Sequence, residues 1–500
     1  MANDDNTAGK QGVSRRHLLG AGAVVAAGAM GMQAGPAPFG AKPANAQAVA
    51  NAVRPSVNYL WSSGQQIQSL RRGIETMKSR PFEDPTSWAY QAAIHGYNFA
   101  PPAGMPREMA DNMNECIHGV RGENFPHRFF LPWHRLYLHY FERILRNASG
   151  DPSLSLPYWN YSDPNGRSIP LSFRWPADAG NALYDANRNR FPGSRSQPPL
   201  FINRGDPLPA NRTDTRASLA VSGFDRFSDT LENGLHGTVH VDVGGRGGDM
   251  SGFDTAGLDP IFWLHHCNID RLWSRWLDTD GHANPAEQQW LDREFSFYDE
   301  TGTRHTRAVS DTLDSRTLGY SYDDEPFSPF IGFQPILVAS AGESGTIPEE
   351  LGRTEGISLK GRAETVTIAP TDEAMAESGG ADLFFTVQDA QDPRPVILRL
   401  EGIDYEGTPG YLYEIYVNRP KGTAQEEAGP YFAGTLSPFG LAESVVPLDI
   451  DISGLLNRQI EAELFLGGQV TIDFIPAGVS EEDAGEVAEI TVESISLVRE

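Results

Sequence analysis

The stretch Asp259-Pro260-Ile261-Phe262-Trp263-Leu264-His265-His266-Cys267-Asn268-Ile269-Asp270-Arg271-Leu272-Trp273 decides how this chain folds. Its aromatic and aliphatic residues suit a buried helix that runs from the two histidines through Asn268 to Leu277. On a helix, neighbouring side chains diverge by about 100°, so only one of His265 and His266 is expected to point at a given metal. Asp270, four residues after His266, can meet that ring's second nitrogen and set its tautomer. It can equally pair with Arg271 or Arg275.

Further histidines lie in similar surroundings. His236 and His240 in His-Gly-Thr-Val-His are four apart, which on a helix places both imidazoles on one face, one turn apart. His134 follows Phe129-Phe130-Leu131-Pro132-Trp133. It opens a helix over Arg135 to Arg146, with Leu138, Phe141 and Leu145 on one face and turn chemistry from Asn147 to Pro152. His95 stands in Ala-Ala-Ile-His-Gly and His118 in Cys-Ile-His-Gly, with His127 as a rival to His118. The chain has 12 histidines in 500 residues. Two sets of three among them can hold a pair of metal ions. Neutral imidazoles suit copper, zinc or iron alike, so ligand type alone does not choose the metal. His139 falls about 140° round the helix from His134 and reads as structural. His282 and His305 read as solvated.

Composition narrows the class. A formal net charge of −26 argues against a nucleic-acid partner. Two cysteines, Cys116 and Cys267, exclude a disulfide framework. With 39% hydrophobic and 10% aromatic residues the chain can bury a large core, and its length calls for at least two domains. Residues 1–46 read as an address. Ser14-Arg15-Arg16-His17-Leu18-Leu19 precedes the small, weakly apolar run Gly20 to Met32, a twin-arginine signal for export of folded protein, and Ala44-Asn45-Ala46 fits a cleavage site. The mature protein is therefore expected in the periplasm or outside the cell. No other segment is apolar enough to span a membrane.

Asp163 to Asp229, rich in Pro, Asn, Arg and Ser, reads as ordered loop around the core. After Gly281 the character changes. Phe295 to Glu300 reads as a strand running into a turn. Residues 339–380 are rich in Gly, Glu and Ser and read as a linker open to cleavage, with one strand at Glu364 to Ile368. Beyond it, Tyr411, Tyr413, Ile415 and Val417 alternate with Leu412, Glu414 and Tyr416. Val396 to Leu400 and Val470 to Ile475 behave alike, so an antiparallel β domain closes the chain, its body at 381–500.

His134-Arg135 through Glu142 and Asp259 through Trp273 resemble the two copper signatures of the tyrosinase/polyphenol oxidase (type 3 copper) family. Trp88 through Gly96, Leu156 through Tyr161 and His236 through Gly245 agree. Trp290-Leu291-Asp292, Phe297 through Glu300 and Asp311 to Tyr320 resemble the segment that follows the catalytic domain in plant-type enzymes. Tyr413 through Asn418 and Phe432-Ala433-Gly434 resemble their C-terminal domain. The resemblance implies a mainly α catalytic domain at 47–338, a four-helix bundle around a dicopper site with long loops, in which 285–338 is the plant-type extension. An antiparallel β-sandwich or barrel-like domain would follow and shield the active site.

By the same resemblance, two copper ions are the cofactor. Copper A takes His95, His118 (with His127 as the alternative) and His134; copper B takes His236, His240 and His266. The family has a short fixed spacing before the third copper A ligand. Neither His118, sixteen residues before His134, nor His127, seven before it, matches. Cys116-Ile117-His118 resembles the segment in which a cysteine is joined to the ligand histidine by a thioether; the plainer reading of Cys116 is a buried thiol. Cys267 reads as packed. Glu232 matches the carboxylate that orients a water near copper B, and Phe253 the aromatic gate. Their plainer readings are a solvated helix-face carboxylate and a core phenylalanine. Gly237 stands where strong monophenol hydroxylases often carry Asn. The implied function is that of an exported bacterial polyphenol oxidase, which oxidises o-diphenols to o-quinones with dioxygen and stays latent until the C-terminal domain is displaced. o-Aminophenol oxidation uses the same site, and a haemocyanin-type oxygen carrier shares the ligands.

Overall fold

Asp259 starts the helix that organises the molecule. In the computed structural model its carboxylate accepts the Ile261 N–H at 3.0 Å, and Pro260 takes the first helical position, where its missing N–H costs nothing. Arg188 comes from the long loop region to clasp the same carboxylate at 2.7 and 2.8 Å, with both side chains fully buried. That pair anchors the polar stretch to the helix at Arg188. The structure describes residues 52–60, 64–116, 128–189, 200–324, 348–371, 395–405, 410–424, 428–439, 447–465, 468–479, 483–485 and 487–499. The signal read at 1–46, and both His118 and His127, lie outside them.

Among the described residues the α-helices are α1 (Gln65–Lys78), α2 (Trp88–His95), α3 (Arg107–Asn112), α4 (Phe130–Ser149), α5 (Leu171–Arg174), α6 (Arg216–Ala220), α7 (Phe224–Asp229), α8 (Gly237–Gly244), α9 (Pro260–Leu277), α10 (Gln288–Leu291) and α11 (Ser453–Glu461), with a π-helical segment (Thr230–His236) leading into α8. α4 packs against α1 and α9. It ends at Gly150, whose φ of 67° makes the left-handed cap. No helix among the described residues is long and apolar enough to cross a membrane.

α4 and α9 are joined through Asp270. Its carboxylate accepts from Arg135 Nε at 2.5 Å, from the Tyr320 hydroxyl at 2.7 Å and from the Tyr322 hydroxyl, while Arg54 Nη1 lies 3.4 Å away. Arg54 also pairs with Glu142 at 2.7 Å. This network corrects both readings of Asp270: it bonds neither His266 nor Arg271 or Arg275. The partners come from β1 (Ala52–Arg54) and β4 (Tyr320–Tyr322), which run parallel with Arg54 beside Tyr322. Between them in sequence, the strand and turn expected at Phe295 to Glu300 are β2 (Glu294–Tyr298) and its turn, and β3 (Arg304–Ala308) pairs back on β2 as a hairpin.

The C-terminal part, from Glu349 to Arg499, is built on two open antiparallel sheets. One has the order β10 (Phe432–Leu436), β9 (Leu412–Val417), β12 (Val470–Ala477), β6 (Glu364–Ile368). The other has β11 (Leu448–Asp451), β7 (Val396–Glu401), β13 (Ile490–Arg499), β5 (Glu349–Leu359), with β8 (Asp404–Tyr405) also on β13. Leu398, Leu400, Ile415, Phe474, Ile495 and Leu497 share one apolar core between them. Among the described residues no barrel closes, so the barrel-like alternative is not realised.

Within the expected linker 339–380, the strand expected at Glu364 to Ile368 is β6, which pairs with β12, and β5 is a further strand there that the sequence reading did not name, paired with β13. Its glycines misled because they serve close approach instead: a Cβ on Gly356 would strike the Val492 carbonyl of the neighbouring strand.

Candidate metal centre

Two groups of metal-binding atoms face each other inside the helical half. Nitrogens of His236, His240, His265 and His266 form one, and atoms of His95, Cys116 and His134 the other; within each group the atoms lie within 4.8 Å of one another. All seven residues are buried. The groups meet where His134 and His266 stack, with centroids 4.1 Å apart and planes 3° from parallel.

Four of these rings share one device. Nδ1 faces a backbone carbonyl in His95 (Phe253, 3.0 Å), His134 (Phe130, 2.8 Å), His236 (Glu232, 3.1 Å) and His240 (Met250, 2.6 Å). A carbonyl can only accept, so each Nδ1 carries the proton and each neutral ring keeps its lone pair on Nε2. For His134 and His236 the carbonyl belongs to the residue four earlier on the same helical segment, so local sequence sets the tautomer. His266 has no hydrogen bond at either nitrogen. Packing holds it instead, against His134 and against Phe262 at 4.4 Å. Burial, together with neighbouring imidazoles, holds His240 and His266 well below the usual histidine range, and burial holds His265 at about 3. These rings are uncharged and ready to ligate.

His265 was expected to turn away. Its Nδ1 does, lying 3.0 Å from the Tyr161 hydroxyl, yet a nitrogen of the same ring belongs to the group of His236, His240 and His266. The divergence of 100° applies at the backbone, and two rings can flank a site that lies between them. Cys116 brings its sulfur to 3.8 Å from His134 Nε2; its proposed partner His118 lies outside the described residues, as does His127. Glu232 is buried in the π-helical segment, not on a solvated face. The Phe253 ring lies tilted against that of His95, 4.5 Å between centroids, so it borders the group of His95, Cys116 and His134. His139 joins neither group. His282 is a correction: it is buried, stacks on Trp276 at 4.6 Å and meets the Trp276 carbonyl at 3.0 Å. His305 is part-exposed and contacts Asp299 at 2.8 Å.

Sequence reading gave no hint of Phe439. This residue follows β10 in the C-terminal half, and its ring lies 3.6 Å from that of His240, 10° from parallel. It also borders His236 at 5.6 Å and Phe253 at 6.4 Å. Nothing in Ser437-Pro438-Phe439 marks it, because its partners are some 200 residues away in sequence.

Residues 85–210 and 174–279 match the common central domain of tyrosinase, and 284–333 match the polyphenol oxidase middle domain. Residues 349–500 match a domain of unknown function. The chain is 31% identical over 477 residues to tyrosinase HcTyr1 of Hahella sp. (strain CCB-MM4), covering 85% of this chain and 95% of that protein. The chain belongs to the tyrosinase family.

Catechol oxidase B of Solanum tuberosum is 29% identical over 328 residues, covering 60% of this chain and 53% of the potato enzyme. The chain thus spans about half the length of that plant tyrosinase relative. In fold it is similar to a latent aurone synthase (polyphenol oxidase), with a TM-score of 0.60 at 21% identity and 90% of each chain covered. It is also similar to latent apple tyrosinase, with a TM-score of 0.55 at 22% identity, covering 90% of this chain and 98% of the apple chain. Tyrosinases are copper oxidoreductases that act on phenols with dioxygen, and two copper ions are their cofactor. The residues here fit that cofactor: buried neutral imidazoles in two adjacent groups, with the Nε2 atoms of His240 and His266 buried and without a hydrogen-bond partner.

Proposed function

We propose that this tyrosinase-family enzyme is an exported, latent polyphenol oxidase of the catechol oxidase type, converting o-diphenols to o-quinones. Copper A is assigned to His95, His134 and one of His118 or His127, with Cys116 beside it as the thioether candidate. Copper B is assigned to His236, His240 and His266. α2, α4, α9 and the continuous π segment with α8 are read as the four-helix bundle that carries these ligands. The catalytic domain is 47–338, with 285–338 as its extension, and the twin-arginine segment at 1–46 directs export.

One observation carries the reading: the Phe439 ring lies flat on His240. A benzene ring already fits beside copper B, as a phenol's ring must, and it comes from the C-terminal half. With Phe439 there, substrate is excluded; with it withdrawn, Phe253 and His240 offer the new ring two aromatic faces.

The copper pair, when bound, supplies the two-electron exchange with dioxygen. The chain's own residues do the rest. Buried Glu232 is assigned to orient a water that takes the phenol proton. Gly237 offers no side-chain amide to hold that water, which supports diphenol over monophenol oxidation.

The test is oxygen uptake with a diphenol and a monophenol side by side, before and after proteolysis of the full chain within 325–347. A cut there leaves β5 to β13 on one fragment. Diphenol uptake should rise sharply after the cut, with monophenol uptake far below it. Unchanged uptake would remove latency, reversible oxygen binding without turnover would indicate a carrier, and o-aminophenol preferred to catechol would change the substrate.

A further inference from the structure

Gly237 sits in ordinary helix. Its φ of −61° and ψ of −35° suit any residue, and glycine weakens a helix relative to alanine. The backbone therefore does not ask for glycine here; the neighbouring chain does. A Cβ at this position would lie 2.8 Å from the Phe439 carbonyl oxygen, 2.9 Å from Ser437 Oγ and 3.1 Å from Ser437 Cβ. The nearest obstacle is backbone and cannot swing aside as a side-chain tip can. Gly234, three residues earlier on the π segment, has nothing within 4 Å of the corresponding point.

The loop that presses on Gly237 is held from both sides. The hydroxyls of Thr435, in β10, and Thr238, in α8, lie 2.8 Å apart. Tyr405 donates its hydroxyl to the Pro438 carbonyl. So Ser437 to Phe439 arrive as a fixed edge, and the bare helix at Gly237 is where that edge comes to rest.

We infer that Gly237 is the positioning residue for the closed state: its missing side chain lets Phe439 reach His240, and any side chain there holds the loop off the copper centre. This rests on the latency reading and adds a constraint to it. Position 237 directly follows the ligand His236, so a side chain there would also border copper B. In the closed chain residue 237 itself can carry no side-chain donor. Closure and the lack of such a donor are thus one structural choice, and an enzyme that gains a side chain at 237 must lose tight closure by the Ser437–Phe439 loop.

The test uses the full-length chain with Gly237→Ala, Gly234→Ala, Ser437→Leu and Phe439→Ala. Ser437→Leu fills the same gap from the C-terminal side and leaves the copper helices unchanged. Two readouts are needed: diphenol turnover of the copper-loaded chains, and hydrogen–deuterium exchange of the 435–439 amides in metal-free chains. Gly237→Ala and Ser437→Leu should each raise turnover by roughly tenfold or more and speed exchange at 435–439. Gly234→Ala should match the wild type in both. Wild-type exchange and turnover in Gly237→Ala and Ser437→Leu would overturn the inference. If Phe439→Ala also leaves turnover unchanged, the latency reading itself fails; if Phe439→Ala alone opens the site, only the role of Gly237 does.

Discussion

The imidazoles of His134 and His266 lie face to face, 4.1 Å between centroids, one from α4 and the other from α9. That contact joins the two histidine groups, and in the proposed assignment each ring goes to a different copper while it packs on the other. Metal analysis of the loaded protein should find two coppers per chain. His134→Ala should remove copper A and His266→Ala copper B. His265→Asn should keep both, since copper B is assigned to His236, His240 and His266. Of His118→Ala and His127→Ala, only the one that removes a true ligand should cost a copper. Zinc alone in the loaded protein would sink the dicopper assignment.

The histidine pattern was legible because these histidines sit on helical segments, where spacing converts directly to direction. His236 and His240 act as the four-residue spacing requires, although the first ends a π segment and not an α-helix. What stayed hidden depends on contacts distant in sequence. Asp270 bonds Tyr320 and Tyr322 some fifty residues on, and Phe439, just past β10, finds His240 on α8. Gly352 and Gly356 looked like linker because composition cannot tell a flexible glycine from one that lets two strands approach.

Asp270 anchors the frame of the site. It is buried with Arg135 and Arg54, whose charges, with the Tyr320 and Tyr322 hydroxyls, hold its carboxyl below the usual range against the opposing effect of burial. Asp270→Ala would leave two buried guanidinium groups short of a counter-charge. The expected loss is about 3–5 kcal/mol, read as a lower urea midpoint of the full chain. A midpoint unchanged by the substitution would show that the network does not hold α4 to α9.

Glu115 gives the fold a pH dependence. It precedes Cys116, accepts from the Ser296 N–H at 3.1 Å and from Asn112 at 2.8 Å, and burial pushes its carboxyl up to about 7 from an ordinary 4.5. A raised folded value means the folded protein holds this proton when the unfolded chain has lost it. The contribution is therefore complete below about 4.5 and is lost as pH rises to about 7. Glu115→Gln should remove that slope, worth at most about 3 kcal/mol. Denaturation of wild type and variant at several pH values from 4 to 8 measures it; parallel curves would contradict the assignment.

Arg212 ties the two halves together away from the copper pair. Its guanidinium reaches Asp242 of α8 at 2.5 Å and Glu414 of β9 at 2.8 Å, and all three side chains are buried. Asn211 and Tyr416 add bonds to Glu414 at 3.0 and 2.6 Å. Glu414→Ala removes the contribution of the C-terminal half and leaves Arg212 its partner Asp242, so the copper helices keep their own ion pair. Loss of one member of a buried pair costs about 3–5 kcal/mol, and here the cost falls on the closed arrangement. The full-length variant should therefore turn over a diphenol faster than wild type, and because the pair is buried, added salt should not reproduce the gain. Equal turnover of variant and wild type would mean that the Phe439 loop alone keeps the site covered.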